Sequence, residues 1–396
     1  MQSKNTKIDF NNLEVAFKGK SSTQLRQAHL LFRVMNSTPM VNMGKFMLNL
    51  AFKIHFPVKG IIRATIYKHF VGGTSIADCA KTIDALQARG VGTILDYAME
   101  GEESEQIFDH TRDEVIRTIE LASQNKSVPF SAFKITGIGR FDLLAKVSAN
   151  ETLTADEQAE LERVNRRVNA IFRRGCELGV PIFIDAEHSW IQLYVDNITM
   201  EMMQKYNKEK PIVQNTYQMY RHDAFDRLKQ HHQMAIDGGF KFGLKIVRGA
   251  YMEIERERAE RLGYEDPIQP DKAATDRDFN AVIHYFFDHL DTMDLMVSTH
   301  NEESSRLFAE LIRKHGLEPN HPQASFSQLY GMSDNITFNL ATHGYNVVKY
   351  VPYGEVKTMM PYLFRRAEEN TSVKGQSSRE LTLISTEIKR RKSANR

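Results

Sequence analysis

From about residue 75 the chain keeps one rhythm: a short apolar run, then a longer stretch with apolar positions at helical spacing. The runs fall at 91–97, 128–136, 180–186, 211–219, 241–247, 294–299, 323–330 and 347–351. The helical stretches follow them at 103–124, 154–178, 196–208, 223–237, 277–290, 302–315 and 333–342, with a last one from about Glu355. Boundary residues agree. Gly90 closes a helical pattern at 75–89, and Thr154-x-x-Glu157 is a capping box ahead of Leu161, Val164, Val168 and Ile171. An insertion at 248–276 lengthens the fifth unit. Several runs are apolar throughout, as strands covered on both faces are. Eight strand–helix units predict an α/β fold, a parallel sheet closed as a (βα)8 TIM-type barrel over 75–376. An N-terminal helical extension (1–74) precedes it, and a C-terminal helix with a basic tail (377–396) follows. A doubly wound open sheet is the alternative, but it calls for a G-x-G-x-x-G turn that the chain lacks.

In such a barrel the carboxyl ends of the strands carry the active site. Here those ends are polar: Lys134, Asp185 with Glu187 and His188 after it, Gln214, Lys245 and Arg248 running into Gly249-Ala250-Tyr251, Thr299-His300-Asn301, Gln328 and Tyr330, and Tyr350. A charge in an apolar strand is expensive without a partner, so Lys134, Asp185 and Lys245 each call for one. Beyond the eighth strand, Arg365 and Arg366 stand side by side, with Glu369 within reach of both on one helix face. Two guanidiniums so fixed form a fork for a carboxylate; alone, the pair could equally be a solvated face. With Lys272 and His300, the cations predict an anionic cofactor and an anionic small substrate. There is no H-E-x-x-H, and Asp-Ala-Glu-His at 185–188 is only a loose metal-ligand candidate.

Other features bound the class. A net charge of +2 gives no bulk field for nucleic acid. Cys79 and Cys176 lie far apart, form no framework and predict buried packing thiols in a reducing compartment. Lys4, Lys7 and Asp9 come without the apolar core of a signal peptide, and no apolar run reaches the length of about 18 residues that a span needs. The aromatic, basic stretch at 51–70 could cap the barrel or lie on a membrane surface. The C-terminal helix, opened by Ser377-x-x-Glu380 and ending in Lys389-Arg390-Arg391-Lys392, could also meet a membrane surface or be an ordinary solvated tail.

Taken in order, SAFKIT, FIDAEH, IVQNTYQ, LKIVRGAY, STHN, QLYGM, YVPYG and YLFRRAEEN make the chain resemble the proline dehydrogenase family from about 75 to 375. The resemblance implies a distorted (βα)8 barrel that holds FAD and oxidises L-proline to Δ1-pyrroline-5-carboxylate, with hydride going to flavin N5 and electrons to a quinone. It implies that Arg365, Arg366 and Lys134 hold the substrate carboxylate and that Tyr350 packs on the ring. Asp185 and Lys245 match the residues usually called catalytic, with Asp185 organising the cations. Ala186, Gln214, Arg248, Gly249, Ala250, Tyr251, Thr299 and His300 match the cofactor contacts. Two departures stand out. Met252 takes the place of a tryptophan that stacks on the adenine in some members. The aldehyde-dehydrogenase domain is missing, so a separate pyrroline-5-carboxylate dehydrogenase would take the product. A hydroxyproline-preferring branch has a smaller residue where this chain has Tyr350. A barrel that binds without turnover is the rival from another class. The expectation is a cytoplasmic enzyme with peripheral contact to the inner membrane.

Overall fold

The structure, a computed structural model, describes residues 8–53, 58–99, 103–372 and 376–394. Eight parallel strands close a barrel in chain order: β1 Gly92–Tyr97, β2 Phe130–Lys134, β3 Ile182–Asp185, β4 Val213–Gln218, β5 Phe242–Val247, β6 Met293–Ser298, β7 Ala324–Leu329 and β8 Val347–Tyr353. Below the mouth, Ile94, Ala132, Phe183, Met296, Val348 and Tyr350 pack into the barrel interior. A larger apolar layer joins the strands to the surrounding helices. The capping box at Thr154 and Glu157 forms, and Gly179 ends that helix at φ 69°. Gly90 likewise has a left-handed φ of 71°.

Several helix bounds differ from the sequence reading, each for a local reason. The helix expected at 196–208 runs Ser189–Tyr206. Gln192 and Asp196 are both buried in its first turns, and Gln192 Nε2 donates to Asp196 Oδ1 at 2.8 Å. The insertion contains a helix, Met252–Leu262, and the next helix starts at Lys272, where Asp271 accepts from the Ala274 N–H. The last barrel helix starts at Met360 rather than Glu355, with Pro361 in the first turn that tolerates it. A helix at Phe141–Ser148 was not foreseen. Cys79 is buried as expected, but Cys176 is exposed, on the outer face of the helix Ala155–Leu178. Among the described residues no helix is long and apolar enough to cross a membrane.

The two ends of the chain share one apolar cluster: Leu13, Phe17, Leu25, Phe32, Tyr67 and Phe70 from before the barrel, Met359 from just before the last barrel helix and Leu363 from within it, and Leu383 and Ile384 from the terminal helix Gln376–Ala394. This cap is pinned by buried polar contacts. The Tyr67 hydroxyl donates to Gly354 O at 2.6 Å, and His69 Nε2 lies 2.9 Å from Gly331 O. The terminal helix is tied down too: Arg391 donates to Phe17 O and Lys20 O, and both Arg390 and Arg391 pair with the buried Glu387. Two of the four residues in the expected basic membrane cluster are thus engaged within the fold. The Ser377 cap falls among side chains outside the described ones.

Candidate active site

Strand register decides which side chains meet. Lys134 and Asp185 are register partners at the ends of β2 and β3. Lys245 points to the same side from β5, two residues short of its end. The result is one shared carboxylate. Asp185 Oδ1 accepts from Lys245 Nζ at 2.5 Å, and Oδ2 accepts from the Tyr350 hydroxyl at 2.5 Å, with Lys134 Nζ at 3.7 Å. Lys134 also donates to Asp96 Oδ2 at 3.2 Å, from β1. Lys245 Nζ lies over the Phe183 and Tyr350 rings, 5.2 and 4.9 Å from their centroids. Burial alone would raise the Asp185 pKa, but Lys245 and Lys134 outweigh it and hold the carboxyl below its ordinary range. Burial, helped by the same carboxylate, pushes the Tyr350 phenol well up, so it stays a donor.

This constellation forms one wall of a cavity of about 740 Å³ at the barrel mouth. Of the sequence candidates, Lys134, Asp185, Ala186, Lys245, Arg248, Gly249, Ala250, Tyr251, Thr299, His300, Tyr350, Arg365 and Arg366 all line it. Seven cations line the cavity against four carboxylates, namely Lys134, Lys245, Lys272, Arg248, Arg365, Arg366 and Arg379 against Asp96, Asp185, Glu302 and Glu303. Arg248 is held in place by Asp276 at 2.7 Å, Thr299 Oγ1 at 2.6 Å and Ser304 Oγ at 3.0 Å. Gly249 has φ 131°, and a Cβ there would meet the Tyr220 ring at 2.5 Å. Only glycine fits this turn of backbone along the cavity wall. Tyr251 packs on His188 at 4.3 Å and lies under the Arg365 guanidinium at 5.8 Å. The Glu369 side chain, expected to brace the arginine pair, lies outside the described ones. Met252 is partly exposed and is not among the cavity residues.

One candidate is misplaced by the sequence reading. Gln214 is the second residue of β4, and its amide donates to Pro211 O at 3.1 Å below the barrel floor. Gln218 shares its face of the strand, roughly 13 Å higher at about 3.3 Å per residue. It lines the cavity and donates to Glu187 O at 2.6 Å. Both glutamines belong to the same IVQNTYQ run, and only position along the strand separates them. Asp96 was also missed, although an aspartate ending the apolar run GTIL had the same signature as Asp185. Among the described residues no group of acidic, His or Cys side chains could hold a metal. Glu187, in the Asp-Ala-Glu-His run, instead accepts from the Thr136 N–H and hydroxyl.

A sequence profile described as "Proline dehydrogenase" matches residues 79–379, well over half of the chain. Proline dehydrogenase 1, mitochondrial, of Dictyostelium discoideum is 33% identical, covering 98% of this chain and 76% of that protein. Hydroxyproline dehydrogenase of Xenopus laevis is 29% identical, covering 95% and 88%. Among solved structures, proline utilization A from Bdellovibrio bacteriovorus, inactivated by N-propargylglycine, superposes with a TM-score of 0.69 at 20% identity. It covers 94% of this chain, which spans 40% of that longer one. That likeness is one of fold.

Proposed function

The chain belongs to the proline dehydrogenase family, and from that premise we propose that it oxidises L-proline to Δ1-pyrroline-5-carboxylate with bound FAD and passes the electrons to a quinone. The observation that carries this reading is the shared Asp185 carboxylate, with Lys134, Lys245 and Tyr350 on it, set in one cavity with Arg365 and Arg366. The cavity fits FAD in chemistry: its cationic excess suits the pyrophosphate, and Gly249 lets backbone approach closely. Arg248, Gly249, Ala250, Tyr251, Thr299 and His300 would hold it, with Ala186 beside them and Gln218 in the place given to Gln214. When bound, the cofactor supplies the two-electron acceptor for the hydride leaving proline C5.

The protein's own residues do the rest. Arg365 and Arg366 bind the carboxylate of proline, with Lys134 as the third cation. Tyr350 gives the ring a face to pack on, held at a fixed angle by its bond to Asp185. Lys245, oriented by Asp185, places positive charge where the reaction delivers electrons. Asp185 accepts from both neighbours, so it acts as an organiser rather than a base. The product is left for a separate pyrroline-5-carboxylate dehydrogenase.

Hydroxyproline is the second reading, because one relative bears that name. Tyr350 speaks for proline: it is a bulky, buried side chain held by Asp185 where the hydroxyproline-preferring branch has a smaller residue. We place the enzyme on the cytoplasmic face of an inner membrane, bound peripherally. Support comes from the helix Thr38–Lys53, which exposes Met40, Met43, Phe46 and Met47, with Ile61 exposed nearby and no acidic residue between 38 and 70. Phe46→Ser with Met47→Ser should then reduce sedimentation with anionic liposomes while leaving turnover with a soluble dye intact.

The deciding experiment is spectroscopic. Protein loaded with FAD should show an oxidised flavin spectrum that bleaches on anaerobic addition of L-proline. A protein that takes up no FAD, or whose flavin stays oxidised, would refute the reading.

A further inference from the structure

Behind the cavity wall stands a serine in an unusual state. Among the described residues only Asn150 and Ser333 are non-glycine residues with positive φ, and Ser333 is at φ 51°, ψ 41°. This left-handed conformation costs about 1–2 kcal/mol for an L-residue and persists only where its surroundings fix it. Ser333 is the N-cap of the helix Asp334–Thr342, where a serine hydroxyl ordinarily accepts from the first turn. Here it makes no such bond. The hydroxyl instead meets His300 Nδ1 at 2.8 Å, and the Ser333 N–H donates to the carboxylate of Glu380. Glu380 lies in the terminal helix Gln376–Ala394 and is 5% exposed. Its neighbour Arg379 binds Glu302 at 2.9 Å, and both of those residues line the cavity.

We propose that Glu380 and Ser333 are positioning residues for His300. Glu380 holds Ser333 in its left-handed conformation, and the hydroxyl so placed donates to His300 Nδ1. The imidazole proton is then fixed on Nε2, making the ring a neutral hydrogen-bond donor to the cofactor. One observation favours that direction: the Ser333 hydroxyl has no other acceptor among the described residues. A neutral ring leaves Nδ1 able to accept it. Burial and the cations Lys349, Arg366 and Arg248 push the His300 pKa down to about 3. A neutral Nε2–H donor suits an anionic or carbonyl acceptor in a cavity already rich in cations. The terminal helix is by this account part of the cofactor site, although none of its side chains needs to touch the cofactor. The inference rests on the reading of the cavity as an FAD site.

The test uses the full chain and two readouts. The first is the 15N spectrum of histidine-labelled protein without cofactor, with His300 assigned by its loss in His300→Ala. Wild type should show the Nε2–H tautomer, and Ser333→Ala and Glu380→Ala should show a mixture. The second is FAD affinity by titration. Ser333→Ala, Ser333→Gly and Glu380→Ala should each weaken it about tenfold, since each removes or frees one buried hydrogen bond. Glu380→Gln, which keeps an acceptor, should restore it. In a His300→Ala background the Glu380→Ala effect should vanish. Ser333→Gly removes the strain along with the hydroxyl, so equal losses in Ser333→Gly and Ser333→Ala tie the effect to the hydroxyl. If the variants lose stability while the tautomer and FAD affinity hold, the network is structural and the proposal falls. If wild type binds no FAD but shows the tautomer shift, the cofactor reading has failed and the wiring stands.

Discussion

Two clusters of buried charge lie close together at the mouth of the barrel, built from the same kinds of residue. One is Lys134, Asp96, Asp185 and Lys245 with Tyr350; the other is Lys20, Asp334, Lys349 and Glu380. The difference is saturation. Lys349 is 1% exposed, and its three N–H groups meet Asp334 Oδ1 at 3.2 Å, Leu329 O at 3.3 Å and Met332 O. Its ammonium has no donor left to give. Lys245 is buried as deeply, but among the described residues its only hydrogen-bond acceptor is Asp185. The rest of its ammonium turns to two ring faces and the cavity. Residue type and burial thus do not distinguish a structural ion cluster from a working one. What distinguishes them is whether the polar valences close within the protein or are left for a ligand.

The largest effect should come from breaking the sealed cluster. Asp334→Ala strands the buried Lys349, while Lys20, its side chain 27% exposed, can turn to water; removing one partner of a buried ion group costs about 3–5 kcal/mol. Urea denaturation should show that loss. Its pH dependence has a definite sign. Burial pushes the Asp334 pKa up, but Lys20 and Lys349 outweigh it and hold it below the ordinary carboxylate value. The contribution is therefore complete above the unfolded value, near 4, and is lost as pH falls below it. The gap between wild type and Asp334→Ala should narrow under acid.

In the open cluster and its surroundings the effect should move from stability to chemistry. Arg365→Met and Arg366→Met should each raise KM for proline on the order of 10²-fold with flavin content retained. Unchanged KM in both would overturn the carboxylate clamp and leave the pair a structural part of the cavity wall. Smaller again, Tyr350→Ser should lose activity on proline and shift the proline-to-hydroxyproline ratio of kcat/KM by about tenfold toward hydroxyproline. A ratio that does not move contradicts the ring-packing role. The smallest effect concerns Glu380. Burial and Asp334 raise its pKa, so ionised Glu380 weighs against the fold at neutral pH and stability recovers as pH falls through the folded value toward the unfolded one near 4.3. Glu380→Gln should stabilise by less than about 1 kcal/mol at pH 7, and the gain should disappear below about pH 4.

The barrel was legible because its signal is repetition: eight apolar runs, each followed by helical spacing, cannot easily be anything but strand and helix. The charged strand ends were legible for the same reason, since Lys134, Asp185 and Lys245 interrupt runs that have no reason to carry charge. What escaped was depth. Gln214 and Gln218 have the same side chain and the same parity along β4, and only knowing where the barrel mouth lies tells floor from rim. Partnering across distant sequence also escaped: the terminal basic run looked like a surface feature until Glu387 and the carbonyls of Phe17 and Lys20 turned out to hold Arg390 and Arg391.

The cluster shared by both ends of the chain also bears on how the protein is made. The helix Ser22–Met35 leaves the ribosome before any barrel strand, yet its buried face of Leu25, Ala28, Phe32 and Met35 shares a cluster with Leu383 and Ile384, which are synthesised after all eight. Throughout translation of the barrel that apolar face lacks its final cover, which makes it a natural target for chaperones and a hazard for aggregation.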